Sequence, residues 1–461
     1  MRKLIHVLLW QIFILHSIQA QVGPSVKSWL QNTSQKGSYY MNGNSTAISN
    51  NILVNCQEVS YSSNYVYIKT QGIPAYPTGP FNDGNPSQAS SQNSLFRFPI
   101  NPRVNTGLKT ATTGGNIGAF INGVALFDYR DGVAWNTATN ALCGGPGNPA
   151  CPGGPTAVQS WNRDAVVAER IGFDCSKGHP AMGNYHHHQN PTAFKTDNLV
   201  ISTICNLYDA DGLYIIDSTS HSPLIGFAYD GFPIYGAYGY KNADGTGGIT
   251  RIKSAYQLRN ITNRTEHAGG INVPDGPVIS ATYPLGYFRE DYEWVSHVGE
   301  EDFLDIHNGR FCVTPEYPLG TYAYFATVDA NHNSAYPYVV GPTFYGVYAN
   351  AKVASISEAV TVYTPPLSGQ NVLDAGPLNI SVFPNPSSEL IVIQIGNLVQ
   401  TDMHISLIDM QGKLIATKQI IKGSTLAFFD TQTLYAGTYY VRINAENNAN
   451  SIKSIPITIV K

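Results

Sequence analysis

The sequence predicts an all-β protein, and three observations support this prediction. Short runs of β-branched and aromatic residues, such as Tyr65 to Ile68 and Thr321 to Phe325, alternate with turns rich in Gly, Pro and Asn. Long helical periodicity is nearly absent. Charged residues make up only 13% of the 461 residues, whereas Gly, Tyr and Pro are abundant, which argues against coiled coils and helical repeats. We therefore expect an irregular β-sandwich or barrel-like main domain.

The first 20 residues are expected to form a secretory signal peptide. Arg2 and Lys3 precede a mostly apolar stretch from Leu4 to Leu15, and Ala20 supplies a small residue at the expected cleavage point. This apolar stretch is shorter than the roughly 20 residues that a membrane span needs. No later segment is long enough, so we expect no transmembrane segment in the mature chain.

Charge and cysteine usage narrow the classes of partner and site. The formal net charge is −4, without a basic cluster, so nucleic acid is not an expected partner. All six cysteines follow the signal peptide, and an even number in an oxidising compartment predicts three disulfides. Cys143 and Cys151 are the most plausible pair because a tight Gly- and Pro-containing loop joins them. No spacing matches a thiolate zinc site.

The chain is predicted to contain two folded domains. An N-terminal extension (21–50) precedes the main domain (51–350), and a linker (351–377) contains a polar, proline-containing stretch near Thr364. Residues 378–461 contain about seven short strand patterns, which fit a small immunoglobulin-like β-sandwich.

The second domain contains a set of four sequence features: Pro384 to Ser387, the turn from Asp409 to Lys413, Leu434 to Tyr440, and the lysine at the end. Together these features resemble the C-terminal sorting domains of type IX secretion substrates. The resemblance implies a protein exported across both membranes of a Gram-negative bacterium and then secreted or held at the cell surface. The implied partner is the type IX translocon, which recognises this domain, and the extracellular ligand of the main domain is unknown.

The densest group of reactive side chains is a histidine cluster. Four of the ten histidines that follow the signal peptide lie within ten residues. If the segment is extended, His186 and His188 share one face and His187 points to the other. A turn at Gly183-Asn184 would bring His179 toward the same face. Imidazole suits copper and zinc, so the cluster predicts a transition-metal site.

Two further segments carry candidate residues. His307 follows Asp305 near an Asn-Gly turn and is a candidate ligand from a distant part of the chain. Asp230, between two aromatic strands, and Glu316 are candidate general bases if the metal site is catalytic. For Asp230 the alternative is a turn residue, since Asp-Gly is a strong hairpin signal.

The histidine cluster includes the sequence Tyr185-His186-His187-His188, and further distinctive stretches are Gly118 to Phe127, Gly226 to Gly236 and Thr314 to Pro318. Through these stretches, residues from about 50 to 347 resemble the YHYH domain family, which is named for a Tyr-His-Tyr-His motif. His187 stands where the family name has Tyr. The resemblance implies a β-rich exported domain in which His179, His186 and His188 form the site.

The sequence leaves two functional hypotheses open. The first is a protein that binds copper or zinc through His179, His186, His188 and His307, with or without enzymatic activity. The second is a surface adhesin or carbohydrate-binding protein in which the histidines are structural and the abundant tyrosines contact the ligand. The two hypotheses differ because metal ligands must converge in space, whereas structural histidines need only backbone partners.

Overall fold

A computed structural model describes residues 22–82, 88–145, 147–154, 159–198, 205, 207–208, 210–349, 351–365, 380–395, 403–410, 413–420, 426–445 and 448–461. The chain divides into two compact units, one ending at Thr364 and the other starting at Pro365. The predicted signal peptide lies outside the described residues. Within them, no helix has the length and apolar character needed to cross a membrane.

Short strands and very few helical turns make up the first unit. Its helices are α1 (Pro24–Lys27), α2 (Ala165–Ala168) and 3-10 turns at Arg170–Gly172, Phe194–Thr196 and Arg289–Asp291. Its strands are β1 (Lys36–Met41), β2 (Asn44–Leu53), β3 (Cys56–Tyr61), β4 (Tyr65–Thr70), β5 (Ser94–Pro99), β6 (Asn116–Phe120), β7 (Ala125–Phe127), β8 (Arg130–Asn136), β9 (Ala141–Cys143), β10 (Asn162–Asp164), β11 (His179–Ala181), β12 (Asn184–His187), β13 (Leu224–Ala228), β14 (Pro233–Tyr235), β15 (Tyr238–Tyr240), β16 (Ile249–Arg251), β17 (Tyr256–Leu258), β18 (Glu266–His267), β19 (Ile271–Asn272), β20 (Tyr292–Trp294), β21 (Gly309–Cys312), β22 (Thr321–Phe325) and β23 (Thr361–Val362).

A mixed eight-stranded sheet forms the centre of this unit, with the strand order β11-β12-β7-β6-β13-β14-β22-β21. The β12–β7 and β14–β22 pairs are parallel, and the other neighbours are antiparallel. All five residues of the central strand β13 are buried. A strand covered on both faces can be apolar throughout, as the sequence of β13 is. The turn at Asp230-Gly231 joins β13 to β14, as the sequence predicted.

A four-stranded sheet, in the order β23-β3-β4-β5, packs against the central sheet. Alternate residues of β5 are buried, so one face of this sheet points to the core. Phe98 on β5 lies 6.3 Å from Phe227 on β13, measured between ring centroids, and Trp29 lies 5.3 Å from each of them. These aromatic contacts between the two sheets produce a sandwich-like core.

A smaller sheet carries the segment that leads to α2. Its order is β10-β8-β9. The unit also contains four two-stranded ribbons: β1-β2, β15-β16, β17-β20 and β18-β19. Trp135, Trp161 and Phe288 form a separate apolar cluster beside the smaller sheet. At the end of β10, the Asp164 carboxylate accepts hydrogen bonds from the backbone N–H groups of Val166 and Val167. This N-cap fixes the start of α2.

The prediction of three disulfides was wrong. Cys143 pairs with Cys151, as predicted, and Cys175 pairs with Cys205. The remaining two cysteines, Cys56 and Cys312, are buried free thiols. They lie on different strands, β3 and β21, and an even cysteine count carries no information about which side chains meet.

The described residues of the second unit form seven strands: β24 (Ile380–Phe383), β25 (Leu390–Ile395), β26 (Met403–Asp409), β27 (Leu414–Ile420), β28 (Leu426–Asp430), β29 (Gly437–Ala445) and β30 (Asn448–Ile459). They build two antiparallel sheets, β24-β25-β28 and β27-β26-β29-β30. Ile391, Ile393, Ile405, Leu407 and Val441 are among the residues of its apolar core. The all-β prediction is confirmed for both units, whereas the exact domain boundaries stay predictions.

Candidate metal centre

A tight hairpin at one edge of the central sheet brings two of the histidines together. β11 and β12 pair so that His179 lies opposite His186. The turn falls at Met182 and Gly183, whose φ angles are 49° and 82°. Glycine suits this position because a Cβ on Gly183 would lie 2.0 Å from the Ser90 Oγ. The local sequence therefore folds His179 back onto the face of His186, as expected.

The His179, His186 and His188 rings converge through their Nε2 atoms. The Nε2 of His188 lies 3.0 Å from that of His186 and 3.4 Å from that of His179. One ring nitrogen from each of the three residues lies within 4.8 Å of the other two. The three residues are only 1–7% exposed, so bulk water does not separate their rings.

A glutamate that the sequence analysis missed completes the cluster. Glu169 caps the C-terminal end of α2. Its Oε2 lies 3.3 Å from the Nε2 of His179 and 3.2 Å from that of His188. The same Oε2 is buried and makes no well-aligned hydrogen bond. A buried carboxylate oxygen without a hydrogen bond is costly unless it faces a cation, so Glu169 belongs to the site.

Backbone carbonyls orient two of the rings. The Nδ1 of His186 lies 2.8 Å from the Asn184 carbonyl oxygen, and the Nδ1 of His188 lies 2.6 Å from that of Asp128. A carbonyl can only accept, so each Nδ1 carries the proton and each Nε2 of a neutral ring presents a lone pair. Lone pairs that face one another repel unless a metal ion or a proton lies between them. This second layer of contacts is the arrangement that metal-binding histidines use.

Four of the six distances between the donor atoms match a tetrahedral ion. Zinc–nitrogen bonds of about 2.0–2.1 Å in tetrahedral geometry place neighbouring donors about 3.3–3.4 Å apart. The four contact distances in the cluster run from 3.0 to 3.4 Å. The three imidazoles and the carboxylate therefore fit a small, borderline-soft cation such as zinc.

Aromatic side chains enclose the cluster. Phe127 stacks on His186 with a centroid distance of 3.7 Å and an interplanar angle of 18°. Phe173 meets His179 edge to face at 4.9 Å. Both rings restrict rotation of the imidazoles and exclude water, which strengthens electrostatic interactions within the site.

The directions of the pKa shifts follow from the contacts between Glu169 and the rings. Burial alone would raise the pKa of the Glu169 carboxyl, but its contacts with His179 and His188 lower that pKa well below its usual range. Burial alone would lower the pKa of His188, yet the Glu169 carboxylate raises it. Burial and the two neighbouring imidazoles lower the pKa of His186 well below its usual value. The carboxylate thus stabilises positive charge among the rings.

His187 points to the opposite face and has a structural role. Its Nε2 lies 2.7 Å from the Tyr76 hydroxyl, and its Nδ1 lies 3.1 Å from the Lys177 carbonyl oxygen. The ring is fully buried, and burial lowers its pKa to about 3. A neutral histidine with both nitrogens satisfied is a core residue, so the alternation predicted for residues 186–188 describes the two faces correctly.

The structure does not bring His307 to this cluster. Its Nδ1 lies 2.6 Å from the Thr343 Oγ1, and its ring packs against Tyr345 at 5.9 Å. The Asp305 carboxylate accepts a hydrogen bond from the His307 backbone N–H, which holds the turn in place. The suggestion that His307 joins the other histidines as a ligand was wrong, because His307 is held in its own turn.

The two candidate general bases are engaged in other contacts. The Asp230 carboxylate accepts hydrogen bonds from the Tyr324 hydroxyl (2.6 Å) and the Gly346 N–H (2.8 Å). The Glu316 carboxylate accepts one from the Tyr235 hydroxyl at 2.8 Å. Neither carboxylate belongs to the histidine cluster, and Asp230 acts as the turn residue that its Asp-Gly sequence indicated.

A larger open cavity lies elsewhere on the first unit. Its volume is about 430 Å³, and Asn64, Tyr65, Asn101, Arg103 and Asp230 contribute to its walls. Such a mixture of an aromatic face and polar side chains is typical of surfaces that bind polar ligands.

Two known families share sequence patterns with this chain. A family model described as "YHYH protein" matches residues 95–337, more than half of the chain, and this segment contains every residue of the histidine cluster. The chain belongs to the YHYH family. A second model, described as "Secretion system C-terminal sorting domain", matches residues 381–458. This YHYH protein therefore carries a type IX sorting domain, which indicates export to the cell surface or medium.

Similarity to other proteins is limited. No curated protein matches the YHYH chain. A DUF3244 family protein with an immunoglobulin-like β-sandwich fold from Bacteroides vulgatus ATCC 8482 is 20% identical, with 17% of this chain and 81% of that chain covered, at a TM-score of 0.15. CopC from Methylosinus trichosporium OB3b is 21% identical, with 18% and 93% covered, at a TM-score of 0.13. Similarities with TM-scores this low do not bear on the function of this chain.

Proposed function

We propose that this YHYH protein is an exported metal-binding protein that holds one zinc or copper ion, zinc in preference. His179, His186 and His188 supply three nitrogen ligands, and Glu169 supplies a carboxylate oxygen. The observation that carries the proposal is the convergence of three buried Nε2 atoms, with that of His188 3.0 Å from that of His186 and 3.4 Å from that of His179. In two of the rings a carbonyl holds the proton on the opposite nitrogen. A metal ion between the rings would remove the repulsion between these lone pairs.

Zinc is preferred over copper because of the arrangement of the donors. Tetrahedral nitrogen and oxygen sets suit zinc, whereas copper(II) favours a tetragonal arrangement. Four of the six donor–donor distances are 3.0–3.4 Å, as a tetrahedral set would have. Calcium and magnesium are not expected, since both prefer sites built from oxygen ligands.

Glu169 favours metal retention over catalysis. Catalytic zinc sites keep one position for water, whereas structural sites fill all four positions with protein ligands. The Glu169 Oε2 lies 3.2–3.3 Å from two of the nitrogens, close enough to take the fourth position. A bound ion would tie α2 to the β11–β12 hairpin, and its double charge would compensate the lone pairs and the carboxylate.

The sorting domain supports the proposed route of export. We infer that the signal peptide (1–20) directs the chain across the inner membrane and that residues 381–458 direct it through the type IX translocon. The metal site would then operate outside the cell, either in the medium or at the cell surface.

The test is the metal content of the full-length chain, measured by inductively coupled plasma mass spectrometry after export or oxidative refolding. We expect nearly one zinc or copper ion per chain in the wild type and almost none in the His186→Ala, His188→Ala double variant. The matched control replaces two histidines outside the cluster, His297 and His332, with alanine and should keep the ion. A wild type that takes up neither zinc nor copper would exclude the proposal.

The alternative function, an adhesin or carbohydrate-binding protein, draws support from the open cavity of about 430 Å³ beside Tyr65. It predicts that glycan binding is lost in Tyr65→Ala and unchanged in the histidine double variant. A metal-free wild type with this glycan-binding pattern would favour the alternative.

A further inference from the structure

A second, smaller cavity is lined in part by residues that neighbour the histidine cluster in the sequence. Its volume is about 10 Å³, enough for one water-sized group, and it is partly open to solvent. Arg170, Gln189, Asp197, Asn333 and Ser334 are its polar lining residues. Arg170 directly follows Glu169, and Gln189 directly follows His188. Two of the seven lining residues are thus next to proposed metal ligands in the sequence.

Three of the polar side chains in this cavity lack a partner within the described part of the chain. Gln189 is only 3% exposed, yet its amide makes no hydrogen bond to any described residue. The Ser334 Oγ is buried and has no partner among those residues. The Arg170 guanidinium makes neither a hydrogen bond nor an ion pair with them. Buried polar groups are rarely left in this state without a ligand or water to satisfy them.

The charge of the cavity points to an anion. The Asp197 carboxylate is neutralised, because the buried Lys177 ammonium lies 2.8–2.9 Å from its oxygens and also contacts the Thr192 hydroxyl. The Arg170 guanidinium then provides one uncompensated positive charge. The Gln189 amide and the Ser334 hydroxyl line the same cavity as Arg170 and add neutral hydrogen-bond donors.

We propose that Arg170, Gln189 and Ser334 form a binding site for the carboxylate group of a small molecule. A guanidinium donates two parallel hydrogen bonds to a planar carboxylate, and one positive charge balances one negative charge. A phosphate group is larger and carries more charge than this cavity compensates. One carboxylate oxygen occupies the water-sized space while the rest of the molecule extends through the opening. The site does not depend on a metal in the histidine cluster.

The probe is acetate, titrated into the full-length, metal-free chain and followed by isothermal titration calorimetry, with acetamide and inorganic phosphate as chemically distinct comparison ligands. We expect one acetate per chain and weaker or absent binding of acetamide and phosphate. Arg170→Gln should weaken acetate binding by about ten- to a hundredfold, the usual effect of losing a charge-assisted hydrogen bond. Ser334→Ala, a smaller change that leaves the guanidinium in place, should weaken it by about fivefold.

Two control variants distinguish this site from the larger cavity and from the histidine cluster. Arg103→Gln removes an arginine that lines the larger cavity and should leave acetate binding unchanged. The His186→Ala, His188→Ala variant should still bind acetate, so that failure of the metal proposal and failure of this one are distinguishable. No acetate binding, equal binding by Arg170→Gln, or preference for phosphate would each overturn the proposal. If the cavity holds only an ordered water molecule, the titration will show no acetate binding.

Discussion

Replacing Glu169 with glutamine tests whether the carboxylate is a metal ligand. The substitution keeps the shape of the side chain and removes its negative charge. The Oε2 lies 3.2–3.3 Å from two histidine nitrogens, so it is placed to contact an ion held by them. Hydrogen bonds and contacts that involve an ionised oxygen are about twice as strong as neutral ones, a difference of about 1.4 kcal/mol. We therefore expect Glu169→Gln to weaken zinc binding by at least about tenfold.

The assay is competition for zinc between the full-length chain and a chromophoric chelator at neutral pH. Near-ultraviolet circular dichroism of the same samples reports whether the aromatic core is intact. Glu58→Gln is the matched control, because Glu58 pairs with Lys69 on the surface and not with the cluster. This control should bind zinc as the wild type does.

Equal zinc affinity in Glu169→Gln and the wild type would refute the assignment of Glu169 as the fourth ligand. The three-histidine site would then keep a position for water, and metal retention would no longer be favoured over catalysis. A loss of both zinc binding and the aromatic signal would instead identify Glu169 as a folding residue.

Three further predictions concern other parts of the molecule. Burial raises the pKa of Asp230 from 3.8 to about 6, so the stabilisation that comes from its protonation is complete below pH 3.8 and is lost as the pH rises through 6. Relative to Asp230→Asn, the free energy of unfolding of the wild type in urea should rise by roughly 2.4 kcal/mol between pH 7 and pH 4. An unchanged difference across that range would contradict this. Cys143 and Cys151 close a loop of sequence separation 8. Replacing both with serine should lower the free energy of unfolding by about 2.5 kcal/mol in the same assay under oxidising conditions. Equal stability of the variant and the wild type would argue against a stabilising disulfide. A chain without residues 381–458 should accumulate in the periplasm on fractionation of the native host, whereas its appearance in the medium would exclude the proposed route.

The histidine hairpin was predictable because the residues that form it are close together in the sequence. Period-two alternation separates His187 from its neighbours, and a Gly-containing turn returns the chain on itself within a few residues. The sequence could therefore place His179, His186 and His188 together. The structure differs only in placing the turn at Met182-Gly183.

The remaining site residues depend on contacts between distant segments. Glu169 reaches the cluster because Asp164 caps α2 and directs its C-terminal end to the histidines, and no spacing motif records this. A capping Asp with a Glu five residues later was the available signal, but it is common in sequences without a metal site. The His307 and disulfide predictions failed for the same reason, since which side chains meet across strands is set by sheet order.

The histidine hairpin also forms one border of the central sheet. β11 is the outermost strand on that side, has three residues and contains Pro180, which has no N–H to offer. At the other border, β21 has four residues and includes Arg310. Short edge strands that carry proline or charge are poor templates for an added strand from another molecule. The same hairpin that gathers the imidazoles therefore also protects the protein from polymerising through its main sheet.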